Sequence, residues 1–396
     1  MNKIIVHIDL NTFFVRAEEI KNPLLENKAV AIGHKGRSGV VSTCSYEARK
    51  FGVHSGMPMF KALELCPHLI VIPSDFRFYK ALSDAFFNFV KKYTPLVEIA
   101  SVDECFADFT AQLENVKDKR KYFQSFQEEL FDKLKLKCSI GVSSTKFLAK
   151  MGSDYKKPMG ITFIDNTNID IILGPLDVSN MYGIGKKTVP ILKKMNIITI
   201  LDLKNRINSG EEPLKELFGK FYFDIKDWLN GRGNDVVVVE PDDPKSIGNS
   251  TTLPHDTNYA KEILETIESL CGKVSSRAIK ENKTGMTISL NVKDANFESY
   301  SRATTIKQPT NKKEVIFDCA KKLFEKHFTD MTLRLVGVTL QNLLNSSDYV
   351  EQMDLFSQDE YENNVSIDKI IDSINKKVGK SIVKRGSEVE NKDGNN

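Results

Sequence analysis

Asp103 and Glu104 stand side by side between two short runs of strand-forming residues, and this constrains the chain more than any other feature. Val97-Glu98-Ile99-Ala100 precedes them and Cys105-Phe106-Ala107-Asp108-Phe109 follows, which puts the acidic pair at or near a hairpin turn. Successive strand residues point to opposite faces, so both acids reach one site only if the turn or a bulge re-aims one of them. Such a pair repels itself unless a cation lies close by. A third carboxylate, Asp9, ends the strand-like run Ile4-Ile5-Val6-His7-Ile8-Asp9. Three hard oxygen ligands at strand ends suit Mg²⁺, which keeps waters and takes further ligands from substrate phosphates.

The rest of the composition mainly excludes. With 396 residues, 41% hydrophobic and 28% charged, the chain is expected to be a globular protein of about two to four domains. No apolar run approaches the ~20 residues of a membrane span, and the N-terminus enters a strand without a secretory pattern, so the expected location is cytoplasmic. Six scattered cysteines (44, 66, 105, 138, 271 and 319) show no metal-finger spacing and are expected to be reduced and mostly buried. Phosphate-loop, dinucleotide and serine-hydrolase signatures are absent. The net charge of +3 is unevenly spread. Residues 244–346 hold 15 Lys and Arg against 11 Asp and Glu, whereas 347–396 hold 7 against 11. A basic body fits a nucleic-acid partner, and the acidic tail something else.

After Asp9, the passage Leu10 to Ile20 turns from strand to helix, with Asn11 or Thr12 as the expected cap and Phe13-Phe14 beside the acids. Residues 28–33 and 39–43 read as a strand pair. A short helix follows from Ser45, ended by Gly52, with Tyr46 and Arg49 on one face. An arginine fork there is a natural phosphate clamp. Helices are expected over 76–96 and 113–134, strands at 138–144 and 161–164, a helix from Thr145, and a basic turn at 156–160. The expected result is a mixed sheet with helices on one face. From 166 the texture becomes short helices and turns. Tyr182-Gly183-Ile184-Gly185-Lys186-Lys187 sits between two helices in a pattern that lets backbone N–H groups approach a DNA phosphate. An extended linker spans 233–244. Residues 245–346 fit a β-α-β-β-β-α-β order, with Lys, Arg, Ser and Thr on the open face toward a phosphate backbone. In the tail, Gln352-Met353-Asp354-Leu355-Phe356 places two large apolar side chains where no core exists, and 365–374 spaces its isoleucines as a short amphipathic helix.

Together these residues resemble the Y-family, or translesion, DNA polymerases. The resemblance rests on Asp9-Leu10-Asn11-Thr12-Phe13-Phe14, Tyr46-Glu47-Ala48-Arg49, Ser101-Val102-Asp103-Glu104, Lys157-Pro158-x-Gly160 and Gly183-Ile184-Gly185, in the family's order from Ile4 to about Leu344. It implies an α+β multidomain, right-hand architecture: palm (1–10 and 76–165), fingers (11–75), thumb (166–232), little finger (245–346) and a tail (347–396). It also implies error-prone synthesis from dNTP onto a primer 3′-hydroxyl, without proofreading, in DNA repair and the SOS response. The family's two Mg²⁺ ions fall on Asp9, Asp103 and Glu104, with the Leu10 carbonyl as a further ligand. Nucleotide contacts fall on Phe13, Thr43, Tyr46, Arg49 and Lys157, and the aromatic that blocks a ribose 2′-hydroxyl on Phe14. DNA contacts fall on Gly183, Gly185, Lys186 and Lys187. Gln352, Leu355 and Phe356 resemble the motif that docks bacterial polymerases on the sliding clamp. A monomer is expected, with room for accessory subunits. Asn11 stands where many members have Asp, as in the catalytic subunit of polymerase V, so both the polymerase IV and polymerase V branches stay open. A nucleotide cyclase would need only the acidic hairpin, and a DNA-binding scaffold would leave the carboxylates idle.

Overall fold

The computed structural model describes residues 3–347. It divides into two compact units, Met1–Asp243 and Pro244–Asn396. In the first unit β1 (Ile5–Leu10) leads into α1 (Phe13–Lys21), followed by β2 (Val30–Ile32), β3 (Thr43–Cys44), α2 (Tyr46–Arg49), α3 (Met59–Leu65) and β4 (Ile70–Ile72). Next come α4 (Phe76–Val90), β5 (Val97–Ile99), β6 (Glu104–Asp108), α5 (Lys119–Leu134), β7 (Cys138–Ser143), α6 (Lys146–Tyr155) and β8 (Ile161–Phe163). The unit closes with α7 (Ile169–Ile172), α8 (Thr188–Lys194), α9 (Ile200–Ser209), α10 (Glu212–Phe218) and α11 (Phe221–Leu229).

The central sheet has the order β5-β6-β1-β7-β8, antiparallel except for the parallel pair β7–β8. Strand alternation gives it two different faces. Val6, Ile8 and Leu10 of β1, with Ile140 and Val142 of β7, pack against Phe86, Phe89, Phe123 and Phe126 from α4 and α5. His7 and Asp9 point the other way, and that face is covered by α6, so helices lie on both faces rather than on one. What admits α6 is Gly141. A Cβ there would sit 1.8 Å from the Ala149 carbonyl oxygen and 2.4 Å from the Ser153 nitrogen.

Other expectations are corrected. The helix expected from 113 starts at Lys119, because the Asp118 carboxylate accepts from the Lys121 N–H and fixes the cap there. The strand pair of 28–33 and 39–43 keeps only Thr43 and Cys44 on its second side, and gains β4 as a parallel third member. Neither Asn11 nor Thr12 caps α1 through its side chain: Thr12 sits at the N-cap with φ 47° and no such bond.

Beyond α11 the chain runs back along the first unit. The Lys146 N–H donates to the Asn234 carbonyl at 2.9 Å, and the Val238 N–H to Glu98 Oε2 at 2.7 Å.

The second unit consists of β9 (Ser246–Thr257), α12 (Ala260–Lys280), β10 (Lys283–Asp294), β11 (Ser299–Thr310), α13 (Lys313–His327) and β12 (Leu333–Asn345), in the sheet order β11-β10-β12-β9. One strand fewer is present than expected, because β10 and β11 are each 12 residues long and unbroken. Ile288, Leu290 and Val292 face Ile267, Val274 and Phe324 of the two helices. Among the described residues no helix is long and apolar enough to cross a membrane. Cys44, Cys66, Cys105, Cys138 and Cys271 are buried free thiols, and Cys319 is partly buried.

Candidate active site

The pairing of β1 with β6 sets Asp9 directly opposite Glu104. Paired antiparallel residues share a face, so the two carboxylates converge. The turn does the rest. Ala100 and Ser101 donate to the Glu104 carbonyl, the Leu10 N–H donates to the Asp103 carbonyl at 3.0 Å, and Ser101 Oγ donates to Asp103 Oδ1 at 2.6 Å. Asp9, Leu10, Asp103 and Glu104 therefore line one cleft of about 160 Å³, together with Phe13, Thr43, Tyr46, Arg49 and Lys157.

Two lysines neutralise these acids. Lys157 Nζ lies 2.7 Å from Asp9 Oδ2 and 2.7 Å from Asp154 Oδ1. Lys150 Nζ lies 3.2 Å from Asp9 Oδ2, 2.7 Å from Glu104 Oε1 and 3.4 Å from Asp154 Oδ2. Burial, reinforced by the Glu104 carboxyl, pushes Asp9 up to about 7 against the pull of both lysines. Burial also raises Asp103. Burial opposes ionisation of Glu104 too, but His7, Asp9 and Lys150 outweigh it and hold the carboxyl below the usual range. Both ammonium groups are held above the ordinary lysine value, the neighbouring acids overriding burial. His7 is fully buried and pushed down by desolvation. Its Nδ1 lies 2.7 Å from Ser153 Oγ and its Nε2 faces Glu104 Oε2 at 3.7 Å.

Lys150, Asp154, His7 and Ser153 were not singled out from sequence. A signal existed: Lys146, Lys150 and Asp154 recur every four residues, the period of one helix face.

The donor set fits a hard divalent cation. It offers the carboxylate oxygens of Asp9, Asp103 and Glu104 in one cleft. Among the described residues no three His, Cys, Asp or Glu side chains close around one point.

Tyr46 and Arg49 are placed by Ser45, whose hydroxyl accepts from the Val30 and Ala48 N–H groups and donates to the Lys28 carbonyl. The Arg49 guanidinium stands 5.0 Å over the Tyr46 ring. Phe13 is buried and lines the cleft, directly after the left-handed turn at Thr12. Phe14 is not among the lining residues. Its half-buried ring stacks on Tyr79 at 4.6 Å and meets Phe76 edge-on at 6.0 Å.

Gly183 and Gly185 precede α8, with a 3-10 turn over Val178–Asn180, not a full α-helix, on their other side. Gly183 has φ +91°, and a Cβ there would press on Phe221 and Trp228 at 3.0 and 3.3 Å. Gly185 has open space around it, and Lys186 and Lys187 are exposed. On the second sheet, register places Thr287, Ser289 and Asn291 of β10 beside Thr305, Ala303 and Ser301 of β11 and Gln341, Thr339 and Gly337 of β12. The centre of this face is hydroxyl and amide, with Lys293 in phase at one end. Gln352, Leu355, Phe356 and the 365–374 segment lie outside the described residues.

Residues 8–154 match the impB/mucB/samB family, and residues 244–355 match the C-terminal domain of that family. DNA polymerase IV of Clostridium kluyveri is 39% identical over 400 residues, covering 98% of this chain and 98% of the relative. DNA polymerase IV 1 of Bacillus subtilis is 36% identical, covering 98% and 93%. The chain belongs to the Y-family DNA polymerases. Among solved structures, a Y-family DNA polymerase chimera built on Dbh aligns with a TM-score of 0.75 at 27% identity, over 86% of this chain and 99% of that one. An insertion ternary complex of Dbh DNA polymerase aligns with a TM-score of 0.59 at the same identity. The curated relatives place this Y-family member on the polymerase IV side, resolving the branch that Asn11 left open. The mixed helix-and-sheet, multidomain fold is that of the family's palm, fingers, thumb and little-finger architecture.

Proposed function

We propose that this chain performs template-directed translesion DNA synthesis, joining a dNTP to a primer 3′-hydroxyl and releasing pyrophosphate. The observation that carries this reading is the single cleft shared by Asp9, Asp103 and Glu104 with Tyr46, Arg49 and Lys157. Asp9, Asp103, Glu104 and the Leu10 carbonyl are the groups that would hold two Mg²⁺ ions. Bound there, the metals would supply Lewis acidity for an in-line phosphoryl transfer. Arg49 and Lys157 bind the β- and γ-phosphates and offset charge developing on the leaving group, with the Tyr46 hydroxyl as a further donor. Phe14, braced by Tyr79 and Phe76, stands as the block to a ribose 2′-hydroxyl. The fingers carry Gly33, Gly36, Ser38, Gly39 and Ser42, small residues that cover a nascent pair loosely and check its shape weakly.

Primer-template DNA would meet Gly183, Gly185, Lys186 and Lys187 of the thumb and the polar face of the little finger. The described elements are all taken up by these four domains, and the reading includes no proofreading. In the tail, Gln352, Leu355 and Phe356 would dock on the bacterial sliding clamp and raise the effective concentration of polymerase at the primer end. Primer extension with Mg²⁺ and dNTPs, with and without a loaded clamp, tests the reading. Template-dependent extension is expected, and Leu355→Ala with Phe356→Ala should abolish clamp stimulation while leaving clamp-free synthesis unchanged. No extension by the full chain would overturn the enzyme reading. Undiminished clamp stimulation of the double variant would overturn only the tail assignment.

A further inference from the structure

Asn11 follows β1 nearly buried, 4% exposed, and its amide is spent on partners far along the chain. Its Oδ1 accepts from the Met159 N–H at 2.9 Å, and its Nδ2 donates to Ser139 Oγ at 2.9 Å. A second buried amide holds the same residue from its other side. Gln127 Nε2 donates to the Met159 carbonyl at 3.2 Å and to the Cys138 carbonyl at 2.7 Å. Met159 sits at φ 62°, a left-handed conformation that a non-glycine residue keeps only when its surroundings impose it. The Gly160 carbonyl then accepts from the Ile140 N–H at 2.8 Å and returns the chain to the sheet. Two residues before Met159 stands Lys157, whose ammonium lies 2.7 Å from Asp9.

We infer that Asn11 and Gln127 form an amide clip on the Met159 backbone that fixes the root of Lys157 and so sets its reach toward the triphosphate. Both are positioning residues, and the inference rests on the reading of Lys157 as a triphosphate contact. A lysine stem is flexible, so its ammonium is only as well placed as the backbone that carries it. An ångström of misplacement at a reacting phosphate is worth a factor of about one hundred. Position 11 has a specific chemical requirement: an acceptor aimed at the Met159 N–H. An aspartate meets it, with the Ser139 hydroxyl turned to donate, whereas a leucine of similar volume takes this partner from the buried Ser139 hydroxyl and releases the Met159 N–H.

The test is single-nucleotide insertion by the full chain, reading kcat and the dNTP KM for Asn11→Leu, Asn11→Asp, Gln127→Leu, Lys157→Ala and the double variant Asn11→Leu/Lys157→Ala. Asn11→Leu and Gln127→Leu should each raise KM and lower kcat, cutting kcat/KM about tenfold, and Asn11→Asp should recover most of that loss. In the Lys157→Ala background, Asn11→Leu should add nothing, because its effect passes through the missing ammonium. Full multiplication of the two effects, or an unchanged KM in Asn11→Leu and Gln127→Leu, would overturn the clip. If Lys157→Ala itself leaves KM unchanged, the triphosphate role of Lys157 fails, and the clip with it. If Lys157→Ala raises KM while the amide variants do not, only the clip fails. Should Asn11→Leu not fold, Gln127→Leu, remote from the cleft, carries the comparison alone.

Discussion

One face of the five-stranded sheet gathers three acids, two lysines and a histidine around a cleft of about 160 Å³, while the open face of the four-stranded sheet in the second unit carries hydroxyls and amides at its centre. Both sheets are otherwise alike, with two helices closing an apolar face. Buried charge is directional and irreplaceable, because each ionised group is held against desolvation by its neighbours. A plane of Ser, Thr, Asn and Gln is the opposite: Thr287 and Thr305 hydroxyls 3.0 Å apart, and Ser289 and Ser301 3.1 Å apart, bond one another as readily as a ligand. The first suits one reaction at one point. The second suits a backbone that must slide past, where no single contact is held tightly.

That contrast can be broken most decisively at the acids. Asp103→Ala or Glu104→Ala should cut single-turnover extension by at least ~10³-fold, roughly 4 kcal/mol of transition-state stabilisation, with primer-template affinity within about twofold of the parent. Extension at the parental rate would remove these carboxylates from the chemistry.

Next in size is Phe14→Ala. Opening the space beside the sugar should lower discrimination against ribonucleotides by ~10²-fold while DNA synthesis persists. Ribonucleotide insertion that stays at background in an active variant would move the block elsewhere.

On the four-stranded sheet, effects should be graded by charge rather than by lost bonds. Thr305→Ala should change primer-template affinity less than about threefold, whereas Thr305→Glu should weaken it about tenfold, with kcat at saturating DNA unchanged. Equal losses from both would mean the hydroxyl itself is read.

The smallest effect concerns stability. Asp9 has its folded-state value raised to about 7, so between its unfolded value near 4 and that point the folded protein binds the extra proton. Stability contributed by the protonated form is therefore lost as pH rises through that window. Asn cannot ionise, so in chelator-treated protein Asp9→Asn should melt a few degrees above the parent at pH 8 and level with it near pH 4. Parallel melting curves across this range would contradict the assignment.

The sequence was most legible where chemistry and local pattern coincide. Adjacent acids between β-branched runs are visible without coordinates, and so is a serine cap before Tyr46 and Arg49. What stayed hidden depends on contacts between distant segments. The amide of Asn11 finds Met159 across 148 positions, and no local rule relates the two. Lys150 enters the acid cluster only because α6 presses on the five-stranded sheet, which depends on which face that helix takes. β4 escaped because it is three residues long with Ile70 exposed, giving neither alternation nor a buried run. The strand count of the second unit was overestimated because long strands twist and bulge, as β10 does between Gly285 and Thr287, and look interrupted in one dimension.

The absence of a side chain at Gly141 has a consequence for heredity. Any substitution there must drive the α6 backbone off the five-stranded sheet, since the added carbon would overlap the Ala149 carbonyl and the Ser153 amide rather than a flexible side chain. Lys150 would withdraw with the helix, and the acids would lose one of their two counter-charges. Random mutagenesis scored by survival after DNA damage should therefore recover loss-of-function alleles at this codon as often as at Asp103. Such alleles would be dead through geometry, with every reacting group still encoded.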